Sequence, residues 1–374
     1  MGTHPTDTDT GTAPGGGLDL DGLLRRGTAR DWRTVDPDDV DPVRFAVIGL
    51  GWFTRGRALP ALADSDYCEP AVMVSGSPGK AERVAADHDA VAVTYDEFLE
   101  GAAVEAYDAV YVVTPNALHL DYCRAAAEFG KAVLCEKPLE RDSERAAELV
   151  EACADVPLYV GYRMQTEPAV RRARELVRAG YVGEPQAVQG SMTQRLLDRI
   201  DPNPDQWRLD EGLAGGGALF DLGVYPLNTT RFLLDADPVA AVGRTKATHD
   251  AFDEVDETAS FTLQFPGDVD AHCFVSHNAR HGSRLAVVGT EGRVAVEPAF
   301  FQDDDRVLHV SAGDTETSIR FDRVDQMREE FDYFADRLRS GEPMYADGEH
   351  GLFDVRAMEA IYESEATGGW VAIE

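Results

Sequence analysis

The chain has 374 residues and a formal net charge of −33 at pH 7, from 68 acidic and 35 basic side chains. So large a negative charge repels phosphate backbones and anionic lipids, which excludes nucleic acids and acidic membranes as expected partners. Because 44% of the residues are hydrophobic, the acidic excess indicates a folded protein with a carboxylate-rich surface. Only four of the 35 basic residues are lysines, which is typical of an enzyme from a salt-saturated cytoplasm.

Cysteine usage and the chain's hydropathy exclude further classes of protein. The cysteines are scattered without metal-ligand spacing, so they predict buried free thiols and no metal site. The polar N-terminus lacks a signal peptide, and no apolar run reaches membrane-spanning length. We therefore expect a soluble cytoplasmic protein. The five cysteines are Cys68, Cys123, Cys135, Cys153 and Cys273.

Residues 1–40 are predicted to form a flexible acidic N-terminal arm. Its first 17 residues are rich in glycine, threonine and aspartate, a composition typical of disorder. Residues 18–27 could add one or two helical turns. The first regular element is expected at 44–49, a short apolar run that ends in glycine and predicts a buried strand.

From this first strand to residue 162, predicted strands and helices alternate. Such alternation predicts βαβ units, a doubly wound parallel sheet and hence a nucleotide-binding Rossmann domain over 41–162. The predicted strands after the first are 71–77, 109–115, 131–138 and 158–162, and the predicted helices are 78–88, 117–130 and 143–153.

After residue 162 the pattern changes to consecutive strands with few helices between them. This pattern predicts an α+β domain over 163–340 with a large, open, mainly antiparallel sheet. We expect a helix at 167–180 before these strands, and helical segments at 323–340 and 349–365 after them. The predicted strands are 185–193, 257–265, 271–278, 283–296 and 307–312.

A glycine turn follows the first strand. Gly49 allows a tight turn, and Gly51 lets the backbone approach a pyrophosphate placed on a helix N-terminus. The third glycine of this fingerprint is replaced by Thr54, a departure that puts close packing of helix on strand in doubt. The alternative interpretation is a purely structural turn.

The end of the second strand distinguishes NADP from NAD. An NAD site has an aspartate or glutamate there, which binds the ribose 2′-hydroxyl. This chain instead has Ser75, Ser77 and Lys80, with no carboxylate before Glu82. Hydroxyls and an ammonium group suit a 2′-phosphate, so NADP is favoured, with NAD as the weaker alternative. A solvent-facing turn without a ligand is the other interpretation.

Another polar segment ends the strand at 109–115. In doubly wound sheets, ligands bind at the carboxyl edge of the strands, where Thr114, Pro115 and Asn116 are expected. His119 follows one turn later. It either contributes to the site or has a structural role in the helix that continues below it.

Lys137 follows the next strand and is expected at the same edge. A lysine there can exchange a proton with a substrate hydroxyl, and we expect burial and a cationic nicotinamide to lower its pKa. In a chain that avoids lysine, an arginine could supply a surface charge but cannot exchange a proton near neutral pH. The alternative is a salt bridge with Glu136.

A glycine-rich loop at 215–217 leads into a predicted helix that carries Asp221 and Tyr225. Residues four apart share one face of a helix, so a carboxylate and a phenol point the same way. Together they could orient a polyol and relay its proton. The alternative is an aspartate near the helix N-terminus beside an ordinary core tyrosine.

Taken together, these segments resemble the glucose–fructose oxidoreductase / inositol dehydrogenase family. The segments "AVIGLG", "VVTPNALH", "CEKPL", "GYRMQTEP", "GGGALFDLGVYPLN" and "VVGTEG" occur in the family's order, and the resemblance covers about residues 44–365. It implies a Rossmann domain, a second domain with an open antiparallel sheet, and a last helix in 341–374 that returns to the Rossmann side. We expect the open sheet to form a homo-oligomer.

The resemblance also implies roles for individual residues. Lys137 and Tyr225 would be catalytic, and Asp221 would place the sugar. Whether Lys137 or Tyr225 is the proximal base stays open. Residues expected at the substrate are Lys137, Arg163, Asp221, Tyr225 and Asn228. Residues expected at the cofactor are Gly49, Gly51, Trp52, Phe53, Ser75, Ser77, Lys80, Thr114, Pro115, Asn116, His119, Glu136, Arg163, Trp207 and Arg208.

Two positions narrow the expected reaction. Many relatives carry histidine in place of Tyr225 and aspartate in place of Asn228, so the chain resembles the glucose–fructose oxidoreductase and dihydrodiol dehydrogenase branch. The stretches "YDAVYVVTPNALHL", "PDQWRLD", "YPLNTTRFLLDADPVA" and "YADGEHGL" resemble sugar-oxidising members from halophilic archaea. That resemblance implies NADP-dependent oxidation of D-xylose at C1 to a lactone. The alternatives are another aldose, a trans-dihydrodiol, or a catalytically inactive nucleotide-binding sensor.

Overall fold

Two sheets organise the chain in a computed structural model that describes residues 30–200 and 202–374, without the side chain of residue 199. The helical turn predicted at 18–27 and the rest of 1–29 lie outside the described residues. The strands are β1 Val43–Ile48, β2 Cys68–Val74, β3 Val91–Val93, β4 Ala109–Val112, β5 Ala132–Glu136, β6 Leu158–Gly161, β7 Pro185–Arg195, β8 Ala240–Lys246, β9 Thr258–Phe265, β10 Val269–Ser276, β11 Asn278–Gly289, β12 Gly292–Val296, β13 Val307–Ala312, β14 Thr315–Arg320 and β15 Val371–Ala372.

Eleven α-helices connect or cover these strands within the described residues, together with short 3₁₀ and π-helical turns. They are α1 Leu59–Ala63, α2 Pro78–Asp87, α3 Tyr95–Leu99, α4 His119–Glu128, α5 Ser143–Ala152, α6 Pro168–Arg178, α7 Leu196–Arg199, α8 Glu211–Ala214, α9 Val224–Leu234, α10 Gln326–Ser340 and α11 Gly348–Thr367.

The first sheet is parallel, with the strand order β3-β2-β1-β4-β5-β6. Helices on both faces bury its strands, which is why β4 and β6 are almost continuous apolar runs and fully buried. The strand order reverses between β1 and β4, and in such sheets the crevice at this switch point is where ligands bind. The predicted Rossmann architecture is confirmed.

The second sheet has nine strands in the order β14-β13-β12-β11-β7-β10-β9-β8-β15. Only β7 and β10 pair in parallel, and the other named pairs are antiparallel. On β7, Val188, Met192 and Gln194 alternate with more exposed residues, so one face is covered. Phe274 on β10 is 42% exposed. The predicted mainly antiparallel sheet is confirmed.

The last two long helices both contact the parallel sheet. On α10, the ring of Phe331 meets Phe45 and Tyr111 edge-on, with centroids 5.4 and 5.0 Å apart. Near the start of α11, Gly351 lies so close to β6 that an added Cβ would be 2.8 Å from Val160 Cγ2. The last helix therefore contacts the Rossmann sheet, and α10, which we expected in the second domain, packs on that sheet as well.

Residues 30–40 belong to the predicted flexible arm but are packed on α10. Trp32 is buried, and its ring meets Tyr333 edge-on. The Asp336 carboxylate accepts hydrogen bonds from the backbone N–H groups of Thr34 and Val35, at 2.7 and 2.9 Å. The buried Trp32 ring and the Asp336 carboxylate therefore hold this part of the arm in place.

All five cysteines are buried free thiols, as predicted. None of the described helices combines the length and hydropathy that a membrane span requires. In the same part of the chain, no three His, Cys, Asp or Glu side chains are grouped to hold a metal ion.

Candidate active site

A cavity of about 500 Å³ lies at the carboxyl edge of the parallel sheet, between it and the second sheet. It brings together most of the residues singled out in the sequence. Those that line it are Gly49, Gly51, Trp52, Phe53, Ser75, Lys80, Thr114, Pro115, Asn116, Glu136, Lys137, Arg163, Trp207, Arg208, Asp221 and Tyr225. Ser77, His119 and Asn228 are not among the lining residues.

The glycine turn has the geometry that a close ligand requires. Gly49 has φ +103°, and an added Cβ would lie 2.8 Å from the Val113 carbonyl oxygen, so only glycine fits. Thr54, at the third glycine's position, donates a hydrogen bond from Oγ1 to the Gly49 carbonyl oxygen at 2.7 Å. It is buried and opens a π-helical turn, Thr54–Ala58. A side-chain hydrogen bond thus joins helix to strand where the fingerprint has glycine.

The cavity wall that follows β2 carries hydroxyl and ammonium groups. Ser75 is buried at the end of β2, while Lys80 lies in the first turn of α2 and forms no ion pair with a described residue. Ser77 precedes α2 and gives its backbone N–H to Ser75 Oγ at 3.3 Å, without reaching the cavity. Arg57 also lines the cavity, a contribution that sequence reasoning missed.

His119 supports the structural alternative. It is fully buried, and its ring nitrogens lie 3.1 Å from the Leu139 carbonyl oxygen and 3.0 Å from that of Thr114. The ring therefore connects the two segments that follow β4 and β5. The expectation that His119 contacts the cofactor is therefore wrong. A side chain enclosed on all sides has no surface toward the cavity.

Asn228 is likewise separated from the cavity. Its side chain is 1% exposed and is held by Gln165, His350 and Asp354 through hydrogen bonds of 2.7–3.0 Å. It lies on α9 one turn after Tyr225, on the side that packs against α11. Its predicted contact with substrate is therefore corrected to a packing role between helices.

Lys137 pairs with Asp221 across the cavity floor. Its Nζ donates to the Asp221 backbone oxygen at 3.1 Å and to Oδ1 at 3.2 Å. The carboxylate of Glu136 instead accepts a hydrogen bond from Tyr111 Oη at 2.7 Å. The alternative of a Lys137–Glu136 salt bridge is therefore wrong. The Lys137 side chain extends toward the second domain, where Asp221 is its partner.

The two partners shift each other's pKa. Burial lowers the pKa of Lys137, but Tyr225, Asp221 and Glu136 together raise it by more, so the net pKa lies above its ordinary value. Burial raises the pKa of Asp221, but Lys137, Arg208 and His277 together hold it well below its ordinary range. We expected the pKa of Lys137 to be lowered, but neighbouring groups of the protein raise it. The sequence did not show that Lys137 has a carboxylate partner.

Tyr225 lies between two cations. Arg163 Nη2 donates to its phenolic oxygen at 2.9 Å, and the guanidinium carbon is 4.8 Å from the ring centroid. Lys137 Nζ lies 4.7 Å from the same centroid. Arg163 is itself held through Gln326, whose amide donates to Glu167 at 2.6 Å. This places fixed positive charge beside the phenolic oxygen, where it favours the negative, proton-accepting form.

A buried carboxylate anchors the helix that carries Asp221 and Tyr225. Asp256 accepts hydrogen bonds from the N–H groups of Gly217 and Leu219 at 2.8 and 2.9 Å. Tyr362 on α11 donates its hydroxyl to the same carboxylate. The first turn's unpaired N–H groups are thereby satisfied, and the orientation of the helix is fixed.

Two residues of β7 complete the wall opposite the parallel sheet. Met192 and Gln194 are two apart, so they face the same side of the strand, and both line the cavity. Gln194 is 5% exposed and has no hydrogen bond to any described residue. Sequence reasoning missed it, because period-two alternation gives the face only after the neighbouring strands are known.

A loop of the second domain closes one side of the opening. Phe301 and Asp303 line the cavity, and Asp303 pairs with Arg57 at 2.6 Å. Both members of this pair are well exposed, so it contributes little to stability.

Family models match both halves of the chain. Residues 43–162 match the model described as an oxidoreductase family with an NAD-binding Rossmann fold. Residues 170–295 match the GFO/IDH/MocA C-terminal domain. The two matches cover the parallel sheet and most of the second sheet.

Similar proteins agree with these matches. The D-xylose 1-dehydrogenase [NADP(+)] of Haloarcula marismortui is 51% identical over 362 residues, which is 96% of this chain and 100% of that protein. The D-xylose 1-dehydrogenase (NADP(+)) 2 of Haloferax volcanii is 32% identical, over 88% of this chain and 99% of that one.

Solved structures show the same architecture. The aldose-aldose oxidoreductase from Caulobacter crescentus, complexed with glycerol, has a TM-score of 0.82 at 29% identity, over 88% of this chain and 99% of that one. A 3-ketoreductase from Actinomadura kijaniata, in complex with NADP and TDP-benzene, has a TM-score of 0.74 at 26% identity, over 87% and 98%. The chain therefore belongs to the GFO/IDH/MocA family of oxidoreductases.

Proposed function

We propose that this protein is an NADP-dependent D-xylose 1-dehydrogenase, which oxidises the C1 hydroxyl of the cyclic sugar to the lactone. The observation that carries the proposal is the meeting of Lys137, Asp221 and Tyr225 beside the glycine turn, in one cavity. The 51% identity with the Haloarcula marismortui enzyme, over nearly the whole chain, supports the choice of sugar and cofactor.

The residues around the glycine turn fit NADP. A Cβ at Gly49 would collide with the neighbouring strand, so the turn keeps its backbone available for phosphate groups. Ser75, Lys80 and Arg57 would hold the 2′-phosphate end of the cavity, since hydroxyls and cations suit a phosphate. When bound, NADP supplies the acceptor for the hydride that leaves C1.

The other end of the cavity has the groups that a sugar requires. Asp221 is 24% exposed on its cavity side and can accept a sugar hydroxyl's hydrogen bond. The amide of Gln194, which has no protein partner among the described residues, can both donate and accept. Because Gln194 lines the cavity, a ligand hydroxyl can pair with its amide.

We assign the base to Tyr225. Lys137 stays protonated, since Tyr225, Asp221 and Glu136 hold its pKa above its ordinary value, and a protonated lysine cannot accept a proton. Tyr225 has Arg163 at its oxygen and Lys137 over its ring, so both cations favour negative charge there. In this arrangement Tyr225 acts as the phenolate, which Lys137 and Arg163 stabilise, and it becomes a neutral phenol when it takes the C1 hydroxyl proton.

Two other functions remain as competitors. Another aldose or a trans-dihydrodiol would use the same base and cations, and only turnover distinguishes them. A nucleotide-binding sensor would not need a base flanked by two cations, so the Tyr225 environment favours an enzyme.

The substrate proposal predicts turnover in strong salt. In buffers of about 1–3 M KCl, where charge repulsion is screened within about 3 Å, D-xylose should reduce NADP faster than other pentoses and hexoses do. Reduction is followed by absorbance at the nicotinamide band, with NAD assayed in parallel. No reduction with any sugar would contradict the dehydrogenase proposal, and a faster hexose would contradict the choice of sugar.

Lys80→Met tests the cofactor end. Losing one charged contact with the 2′-phosphate should raise the KM for NADP by about 10-fold or more, and leave the KM for NAD within about twofold. The matched control is Lys246→Met, an exposed lysine of β8 on the second sheet. Equal effects on NADP and NAD, or none on either, would exclude Lys80 from 2′-phosphate recognition.

Tyr225→Phe and two variants of Lys137 test the base. Tyr225→Phe should lower kcat by about 10²–10⁴-fold and abolish the rise of kcat with pH, with cofactor binding nearly unchanged. Lys137→Met should also lower kcat, and Lys137→Arg should recover part of it, because arginine keeps the charge. If Tyr225→Phe keeps the pH-dependent rise and Lys137→Arg is as inactive as Lys137→Met, the base is the lysine.

Asp221→Asn tests the ion pair. With the carboxylate neutralised, one of the charges that raise the pKa of Lys137 is lost while burial still lowers it, so the pKa of Lys137 should fall relative to wild type. Because the chain has only four lysines, ¹³Cε-lysine labelling gives four resonances to titrate by NMR. The control is Asp303→Asn, a cavity carboxylate that pairs with Arg57. An unchanged Lys137 pKa in Asp221→Asn would rule out the assigned cause.

A further inference from the structure

His277 lies behind Asp221 and was not singled out by the sequence. It directly follows β10 and is 2% exposed. Its backbone is fixed on both sides, because its N–H donates to the Glu257 carbonyl oxygen and its own carbonyl accepts from Leu196 N–H, each at 2.8 Å. Its ring packs face to face against Phe252, with centroids 6.2 Å apart. The backbone and this stacking hold the ring in place.

Neither ring nitrogen of His277 has a hydrogen-bond partner among the described residues. Its Nε2 points at Asp221 Oδ2, but the distance is 3.5 Å, beyond a normal hydrogen bond. A buried polar group without a partner is destabilising, so natural proteins retain few of them. A role in holding Asp221 would explain its presence at this place.

Asp221 has one oxygen fixed and one loosely held. Oδ1 accepts from Lys137 at 3.2 Å, while Oδ2 has Arg208 Nε at 3.7 Å and His277 Nε2 at 3.5 Å. The carboxylate reaches the cavity, so a sugar hydroxyl that binds it will turn it unless Oδ2 is restrained. Of the two groups near Oδ2, only His277 is enclosed and has an otherwise unused ring.

The charges around His277 keep its ring neutral. Burial lowers its pKa, Asp221 and Asp256 oppose this, and Arg208 and Lys137 lower it further, so the pKa lies below its ordinary value. A neutral imidazole carries one N–H, which can be placed on Nε2. The ring then donates a hydrogen bond to Asp221 without adding a further charge to the site.

We propose that His277 is a positioning residue for Asp221, donating from Nε2 to Oδ2 when the sugar binds. The contact shortens to an ordinary hydrogen-bond length of about 2.9 Å. Oδ1 thereby stays on Lys137, and the carboxylate keeps the orientation in which it accepts a sugar hydroxyl. This inference rests on the proposed function, since it needs a sugar at Asp221.

The test compares His277→Leu, His277→Phe and His277→Gln with wild type. Leucine and phenylalanine remove the donor and keep an apolar filling, whereas glutamine keeps an N–H. We expect kcat/KM for D-xylose to fall about 10–100-fold in the first two, mainly through KM, and glutamine to recover most of it. The KM for NADP should change less than about twofold. Because a costly unpaired polar group disappears, the Tm of His277→Leu should equal or exceed that of wild type.

Each possible result either supports the proposal or overturns it. A kcat/KM for His277→Leu within twofold of wild type overturns the proposal, as does glutamine failing as badly as leucine. If leucine does not fold, phenylalanine gives the same comparison, and failure of both to fold means that the residue is structural and overturns the positioning role.

A second measurement does not depend on turnover. Calorimetric titration of the NADPH-loaded protein with D-xylose, where no oxidation occurs, should give a Kd about 10-fold weaker in His277→Leu than in wild type. An equal Kd in the two proteins overturns the positioning role. Absence of sugar oxidation by wild type, with the weaker Kd still observed, would sink the proposed function and leave the positioning of Asp221 standing.

Discussion

The ion pair of Lys137 and Asp221 is the contact on which the site depends. It joins the carboxyl edge of the parallel sheet to the helix of the second domain that carries Tyr225. Each member loses hydration on burial, and removing either leaves an uncompensated charge, which in buried pairs costs several kcal/mol. The relative placement of the two domains is therefore coupled to the charge state of the cavity floor.

The cavity differs in charge from the molecule around it. The chain carries a net charge of −33, yet the lining has five cationic side chains and three carboxylates. Two of those carboxylates, Asp221 and Asp303, are paired with cations of the same cavity. An anionic dinucleotide therefore meets a positive interior in an acidic protein, which favours its entry over that of a neutral molecule.

Sequence patterns predicted the elements better than the contacts between them. Apolar runs and their spacing predicted both sheets, but β3 has only three residues and β14 is mostly polar, so neither strand was predicted. The edge positions of Lys137 and Thr114 follow from topology, which the βαβ pattern reveals. The partner of Lys137 lies 84 residues away, so the direction of its pKa shift did not follow from local sequence. Gln194 and His277 could be assigned to the site only once the register of β7 and β10 was known.

The hydroxyl of Tyr362 on the Asp256 carboxylate links the end of the chain to its chemistry. Asp256 fixes the first turn of the helix that bears Asp221, and Tyr362 belongs to α11, the final helix. Fraying of the C-terminus would first release the two-residue edge strand β15 and then loosen that first turn, while the inner strands of both sheets stay in place. Proteolysis near the C-terminus would thus lower turnover first, and so would a bulky C-terminal tag. The circular dichroism spectrum would still be that of a folded protein.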